Sequence, residues 1–250
     1  MGKIVVITGA KGGCGKTTLT AALGRAMAEL GKTTCLVDAC VGRRGLDLLL
    51  GVQDKVIYDL FDLASGECAM EQALLTAGER LFFVSCPAEN TAGVSPKQVC
   101  GAVQRLGKRF DCVLLDTSGI FDDLPLTLCA EADEVLLVTL PGDEASRGCE
   151  RAAVLLREKT RTPVSLVMNA WPERVPGVKL PAPEAEAAYL DLPLLGSIAR
   201  SEAVYAASFN HPVSAYPEKI RREILCIARR LCGENVPPET VKARRFPWRS

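Results

Sequence analysis

A glycine-rich segment near the N-terminus carries the residues with the clearest chemical use. It reads GAKGGCGKTT over residues 9–18 and separates a hydrophobic run from a stretch of helical periodicity. Because glycine lacks a Cβ, such a loop can wrap until successive backbone N–H groups point at phosphate oxygens. The phosphates would lie at the positive end of the following helix, where Lys16 would neutralise them and the Thr17 hydroxyl would bind Mg²⁺. The segment therefore predicts a nucleotide site.

The ordinary phosphate-loop pattern, G-x-x-x-x-G-K-[ST], is incomplete in this loop. Its first glycine would fall at Ala10, while its end matches Gly15, Lys16 and Thr17. Strand, loop and helix still follow one another in the required order. Lys11 is a second cation in the loop and needs an anion to satisfy it.

Two aspartates end hydrophobic segments that are predicted to be strands. Asp38 closes TTCLVD, and Asp116 closes CVLLD. Carboxylate oxygens suit Mg²⁺, so Asp116 could hold the ion through water. Cys40 follows Asp38 by two residues, and a thiol cannot hold a water molecule as a carboxylate does.

Alternation of hydrophobic and helical segments predicts the elements that position these residues. Near-continuous apolar runs are typical of strands buried on both faces of a parallel sheet. Such runs occupy 3–8, 33–38, 81–86, 112–116, 134–140 and 164–169, with a short strand near 192–198, and helices are predicted at 16–30, 94–108, 123–131, 144–158 and 216–231. The predicted fold is α/β, a doubly wound and mostly parallel sheet with helices on both faces. The proline-rich segment 171–187 is predicted to be a surface loop.

Composition restricts the class of protein. The 250 residues carry 30 basic and 30 acidic side chains, so no global charge attracts nucleic acid or acidic lipid. No signal peptide and no apolar run of about 20 residues is seen, so a cytoplasmic location is expected. The 11 cysteines include no C-x-x-C pair, which favours reduced, buried thiols over zinc or disulfides. His211, the only histidine, is predicted to lie in a surface loop.

The segment KGGCGKTT resembles the deviant phosphate loop, K-G-G-x-G-K-[ST], of the MinD/ParA ATPases. Residues 46–74 and 131–151 are more similar to the MinD branch than to the plasmid-partitioning branch. The resemblance covers about 1–232 and implies one P-loop NTPase domain of the SIMIBI type, which hydrolyses ATP with Mg²⁺. It also implies an ATP-dependent homodimer in which Lys11 reaches the partner's nucleotide.

The resemblance assigns roles to particular residues. Lys11, Lys16 and Asp38 are implied to be catalytic, and Thr17, Asp38 and Asp116 to hold the metal. The residues implied to bind the nucleotide are Gly12, Gly13, Cys14, Gly15, Lys16, Thr17, Thr18 and Asn169. The family positions division inhibitors and other assemblies, so an unidentified regulatory or cargo protein is the expected partner, and no nucleic acid is indicated.

Several positions depart from the family pattern. Cys40 replaces the second acid of the D-x-D motif, Ser118 replaces the usual proline after Asp116, and 198–204 lacks the usual proline and acid. One hypothesis is that the chain binds ATP but hydrolyses it very slowly. The other is that the replacement at Cys40 has no functional effect, because Asp38 or another group suffices. Two alternatives stay open: an ATP-binding scaffold without hydrolysis, and an iron–sulfur carrier with Cys86 or Cys129 as a bridging ligand.

The last segment, 233–250, is predicted to be a separate tail. It carries cations beside two aromatic residues, namely Lys242, Arg244, Arg245, Arg249, Phe246 and Trp248. These side chains suit an anionic membrane surface, and two copies in a dimer would bind better than one. Pro247 would interrupt a helix, so a disordered basic tail is the other interpretation.

Overall fold

One mixed sheet forms the centre of the chain. The computed structural model describes residues 1–88, 93–178, 180–210 and 216–237. The strands in this part are β1 (Lys3–Thr8), β2 (Thr34–Ala39), β3 (Leu75–Gly78), β4 (Leu81–Val84), β5 (Cys112–Thr117), β6 (Glu134–Thr139), β7 (Val164–Trp171) and β8 (Leu194–Ala199). Their order is β3-β4-β2-β5-β1-β6-β7-β8, and β3 alone runs antiparallel to its neighbour.

Helices cover both faces of this sheet. They are α1 (Lys16–Glu29), α2 (Leu46–Leu50), α3 (Leu60–Ser65), α4 (Met70–Ala73), α5 (Pro96–Gly107), α6 (Asp123–Ala130), α7 (Asp143–Lys159), α8 (Pro183–Tyr189), α9 (Glu202–Asn210) and α10 (Glu218–Leu231), with a 3-10 turn at Gln53–Lys55. Buried side chains of α1, α2, α9 and α10 pack on one face, and those of α3 to α8 pack on the other. The doubly wound α/β prediction is confirmed.

The predicted elements agree with the structure where their pattern is strong. The six long predicted strands and five predicted helices are present with ends within two residues, and the short strand near 192–198 is β8. The prediction of a loop over 171–187 was wrong at both ends, because β7 includes Trp171 and α8 begins at Pro183. Proline is tolerated in the first helical turn, where its missing N–H would have no partner within the helix.

The cysteines behave mainly as core residues. Nine of the 11 are buried, while Cys226 is half-buried and Cys232 is exposed. Cys86 and Cys129 are almost completely buried, at 1% and 0% exposure. A cluster shared between two chains needs ligands at a surface, so the proposed bridging role of these two residues was wrong.

Two predictions concern residues that lie outside the described ranges. His211 and the cations and aromatics of the tail, residues 242–249, lie outside the described residues. No helix in the described ranges combines the length and apolar character needed to span a bilayer.

Candidate active site

The predicted site residues meet where the central strands end. β1 lies between β5 and β6, and β5 also pairs with β2, so the carboxyl ends of β1, β2 and β5 lie side by side. Asp38 and Asp116 are register partners at the ends of β2 and β5. The loop that follows β1 leads directly into α1 at Lys16. Parallel pairing therefore brings the phosphate loop and both aspartates to one edge of the sheet.

The phosphate loop depends on two glycines in left-handed conformations. Gly13 has φ of 77° and Gly15 has φ of 89°. A Cβ on Gly15 would lie 2.2 Å from the side-chain nitrogen of Asn169. That nitrogen donates a hydrogen bond of 2.8 Å to the carbonyl of Cys14. Asn169 therefore braces the loop from β7, a contact that the sequence did not indicate.

The two lysines of the loop occupy opposite environments. Lys16 is buried at 8% exposure, and its Nζ donates to the Lys11 carbonyl at 3.3 Å. The Lys11 side chain is 62% exposed, and its Nζ lies 2.7 Å from Oε1 of Glu144 at the start of α7. Both partners of that ion pair are well exposed, so it contributes little to stability. Lys16 faces the interior of the site, whereas Lys11 extends from its surface.

Asp38 organises the loop that follows β2. Its Oδ1 accepts a hydrogen bond of 2.9 Å from the Cys40 N–H. Its Oδ2 accepts weaker bonds of 3.4 Å from the N–H groups of Gly45 and Leu46. Burial raises the pKa of this carboxyl, and these N–H donors partly oppose the rise. Asp38 thus holds both ends of the loop 40–46.

Asp116 is a buried carboxylate whose hydrogen-bonding capacity is not filled by the described residues. It is 0% exposed, and neither of its oxygens accepts a hydrogen bond of normal geometry from the described residues. Burial raises its pKa to about 7, and the nearby Asp38 charge adds to the rise, while weak hydrogen bonding from the Thr17 and Cys40 side chains and the Lys16 charge oppose it. Buried charges are normally paired or bound to a cation, so this oxygen pair fits Mg²⁺. Asp38 and the half-buried Thr17 carry further oxygen atoms close by that could serve as ligands.

Cys40 stands beside the two aspartates. One ligand atom from each of Asp38, Cys40 and Asp116 lies within 4.8 Å of the others. Burial, followed by the charges of Asp116 and Asp38, raises the pKa of the Cys40 thiol. The thiol is therefore neutral near pH 7, and it cannot hold a water molecule through negative charge.

The loop after β5 contacts the phosphate loop. The Ile120 N–H donates to the Gly9 carbonyl at 3.3 Å, and Ile120 is fully buried. The Ser118 hydroxyl donates to Asp122 Oδ2 at 2.8 Å. A hydroxyl–carboxylate hydrogen bond therefore shapes this turn, at the position where the family has a proline.

A cavity of about 570 Å³ continues from the phosphate loop toward β8. Gly13, Gly15, Thr18 and Asn169 line its end near the loop. The rest of its wall is largely apolar, from Leu19, Ala22, Leu140, Ile198, Ile220 and Ile224, with Arg200, Glu202, Tyr205 and Tyr216 among the other side chains. Its volume and mixed lining suit a nucleoside. Most of 198–204, the segment that departs from the family pattern, lies in this wall, and the contributions of α1 and α10 were not predicted.

Comparison with known proteins decides the family. The profile of the CobQ/CobB/MinD/ParA nucleotide binding domain matches residues 5–213. The chain belongs to this family. It is 36% identical over 252 residues to the septum site-determining protein MinD of Bacillus subtilis, spanning 97% of this chain and 93% of the relative. MinD of Synechocystis is 32% identical over 244 residues, with coverage of 95% and 92%.

Solved structures agree with these relatives. The MinC:MinD cell division protein complex of Aquifex aeolicus contains a chain with a TM-score of 0.81 and 28% identity, which covers 94% of this chain and 97% of its own length. The chain is therefore a MinD-like P-loop ATPase in division-site placement. The comparisons do not favour the non-hydrolysing scaffold.

Proposed function

We propose that the protein is a dimerising switch driven by Mg²⁺ and ATP, formed by one ATPase domain over residues 1–232. The observation that carries this proposal is that the loop's two lysines differ in exposure. Lys16 is buried toward the phosphate site, while the Lys11 side chain is 62% exposed and pairs with the exposed Glu144. An exposed lysine at this position can reach a nucleotide in a second chain without disturbing its own loop.

The roles of the residues follow from their positions. The backbone of Gly12, Gly13, Cys14 and Gly15 would bind the phosphates, as would the start of α1 at Lys16, Thr17 and Thr18. Lys16 would neutralise phosphate charge from within the chain, and Lys11 would do so from the partner. Asn169 holds the loop in shape and borders the nucleoside cavity.

Thr17, Asp38 and Asp116 are the proposed metal ligands. When bound, Mg²⁺ would neutralise the charge that develops on the phosphates. The Asp116 oxygens are buried and accept no hydrogen bond of normal geometry from the described part of the chain, and Asp38 is adjacent; both observations support this assignment. Asp38 also holds the loop 40–46 through hydrogen bonds, so metal binding at Asp38 would be linked to the conformation of this loop.

Hydrolysis is proposed to be slow. Cys40 occupies the place of the family's second acid, and its neutral thiol gives no carboxylate to position the attacking water. Loss of one positioning group can slow the chemical step while nucleotide binding stays intact. A long-lived ATP dimer is the expected consequence.

Light scattering coupled to gel filtration tests the switch. With Mg²⁺ and ATP the wild-type chain should elute as a dimer, and with ADP as a monomer. Lys11→Ala should stay monomeric in ATP yet bind a fluorescent ATP analogue, because Lys16 and the loop are intact. Lys32→Ala is the matched control, since Lys32 is exposed before β2, at the opposite edge of the sheet. Dimerisation of Lys11→Ala to the wild-type extent would contradict the proposal.

A partner protein and a membrane surface complete the proposed cycle. The Aquifex relative forms a complex with MinC, so a regulatory protein of that kind is the proposed partner. The cations and aromatics of 233–250 support a peripheral location at an anionic membrane inside the cell. Liposome co-sedimentation in ATP should decrease when residues 242–250 are deleted. Equal sedimentation of both forms would remove the tail from the proposal.

A further inference from the structure

Asp38, Cys40 and Asp116 form a cluster whose chemistry differs from a site built only of oxygen ligands. We propose that, in the nucleotide-free chain, these three side chains bind a thiophilic divalent cation of the Zn²⁺ type. The ion would occupy the acids that Mg²⁺ needs, so it would act as an inhibitor of the switch. This binding does not require ATP and can be measured separately from it.

The spacing of the three groups suits a small cation. Their ligand atoms lie within 4.8 Å of one another. Zinc takes oxygen ligands at about 2.0–2.2 Å and sulfur at about 2.3 Å, so neighbouring ligands of a tetrahedral ion lie roughly 3.3–3.8 Å apart. Movements of about 1 Å would close the site. A water molecule could take the fourth position, which is common where a protein supplies three ligands.

The burial of Asp116 independently points to a cation-binding role for this cluster. Both oxygens of Asp116 are buried and accept no hydrogen bond of normal geometry from the described residues. Nearby Lys16 supplies one positive charge, while two carboxylates and a cysteine thiolate together carry three negative charges. A divalent cation therefore makes the buried set neutral, and the thiol proton leaves to solvent as the sulfur binds. Buried charges are tolerated when they are balanced in this way.

Cys40 decides which ion the site prefers. Mg²⁺ takes oxygen ligands and avoids sulfur, whereas thiolate ligands favour zinc and other softer ions. An aspartate at this position would make the set entirely oxygen. Cys40 is also the least buried of the three residues, at 8% exposure.

Co²⁺ is a suitable probe because cobalt bound to a thiolate absorbs light through a sulfur-to-metal transition. The nucleotide-free chain should bind one tightly held Co²⁺ with this absorption band, and Zn²⁺ should displace it. Cys40→Ser should lose the band and weaken binding by at least about 100-fold, since even outer-shell losses cost about 10- to 100-fold. Cys232→Ser, which removes the exposed thiol, is the matched control and should keep the band.

Asp116→Asn separates loss of the site from loss of folding. This variant keeps the thiol, and its Co²⁺ affinity should fall while its circular dichroism stays native. Wild-type affinity in Asp116→Asn, or an unchanged band in Cys40→Ser, would overturn the proposal. Absence of the band from the wild-type chain would do the same, whatever the result with ATP.

Discussion

The buried carboxyl of Asp116 makes the stability of the nucleotide-free protein depend on pH. Its pKa is raised from the ordinary value of 3.8 to about 7 in the folded chain. A group whose pKa is raised by folding contributes its full stabilising free energy when the pH is below its pKa in the unfolded chain. This contribution is lost as the pH rises through its pKa in the folded chain. The interval from 3.8 to about 7, at about 1.4 kcal/mol per pH unit, amounts to roughly 4 kcal/mol. The folded state should therefore weaken between acid and neutral pH.

Asp116→Asn removes this dependence with almost no change of shape. Between pH 5 and pH 8 the free energy of unfolding of the wild type should fall by about 2.5 kcal/mol relative to the variant, because most of the titration at about 7 lies in that window. The asparagine side chain has an unsatisfied amide at both pH values, so its cost cancels from the comparison. The predicted quantity is thus the change, between pH 5 and pH 8, in the difference between the free energies of unfolding of the two proteins.

Urea denaturation followed by circular dichroism, at both pH values and with EDTA in place of metal and nucleotide, measures this difference. Asp54→Asn, in the exposed turn at Gln53–Lys55, controls for the loss of one surface carboxylate. The reasoning would be refuted if the difference in free energy of unfolding were equal at pH 5 and pH 8. It would also be refuted if the wild type became more stable relative to the variant at pH 8. Addition of Mg²⁺ and ATP at pH 8 should then stabilise the wild type more than the variant, because a bound cation would compensate the Asp116 charge.

Three further substitutions test the rest of the site. Gly15→Ala should abolish binding of a fluorescent ATP analogue, because φ is 89° and the new Cβ would lie 2.2 Å from the Asn169 nitrogen; normal binding would contradict the loop geometry. Asp38→Ala should lower the free energy of unfolding in urea by about 2–3 kcal/mol, because it removes one good and two weak hydrogen bonds from a carboxylate; unchanged stability would mean that they contribute nothing. Cys40→Asp should speed single-turnover ATP hydrolysis at least about tenfold, and equal rates would show that Cys40 does not limit turnover.

Local sequence patterns predicted the main layers of the fold. Strands such as β1 and β5 are apolar throughout, and α5 and α10 carry one apolar face, so each element is recognisable from its own residues. β3 was missed because it is a four-residue edge strand with alternating exposure, which needs β4 beside it to form. α8 was missed because its prolines are typical of loops, although Pro183 begins a helix.

The sequence by itself determined the residue types of the site. It supplied the glycines and lysines of the phosphate loop, Asp38 and Asp116, and the replacement of an acid by Cys40. Only the tertiary structure decided what each group contacts. It shows Asn169 bracing the loop, Asp38 holding the loop 40–46, and Asp116 buried with no hydrogen bond of normal geometry from the described residues. The physical reason is that Asn169 and Cys14, like Asp38 and Asp116, lie far apart along the chain, and parallel pairing brings them to one edge of the sheet.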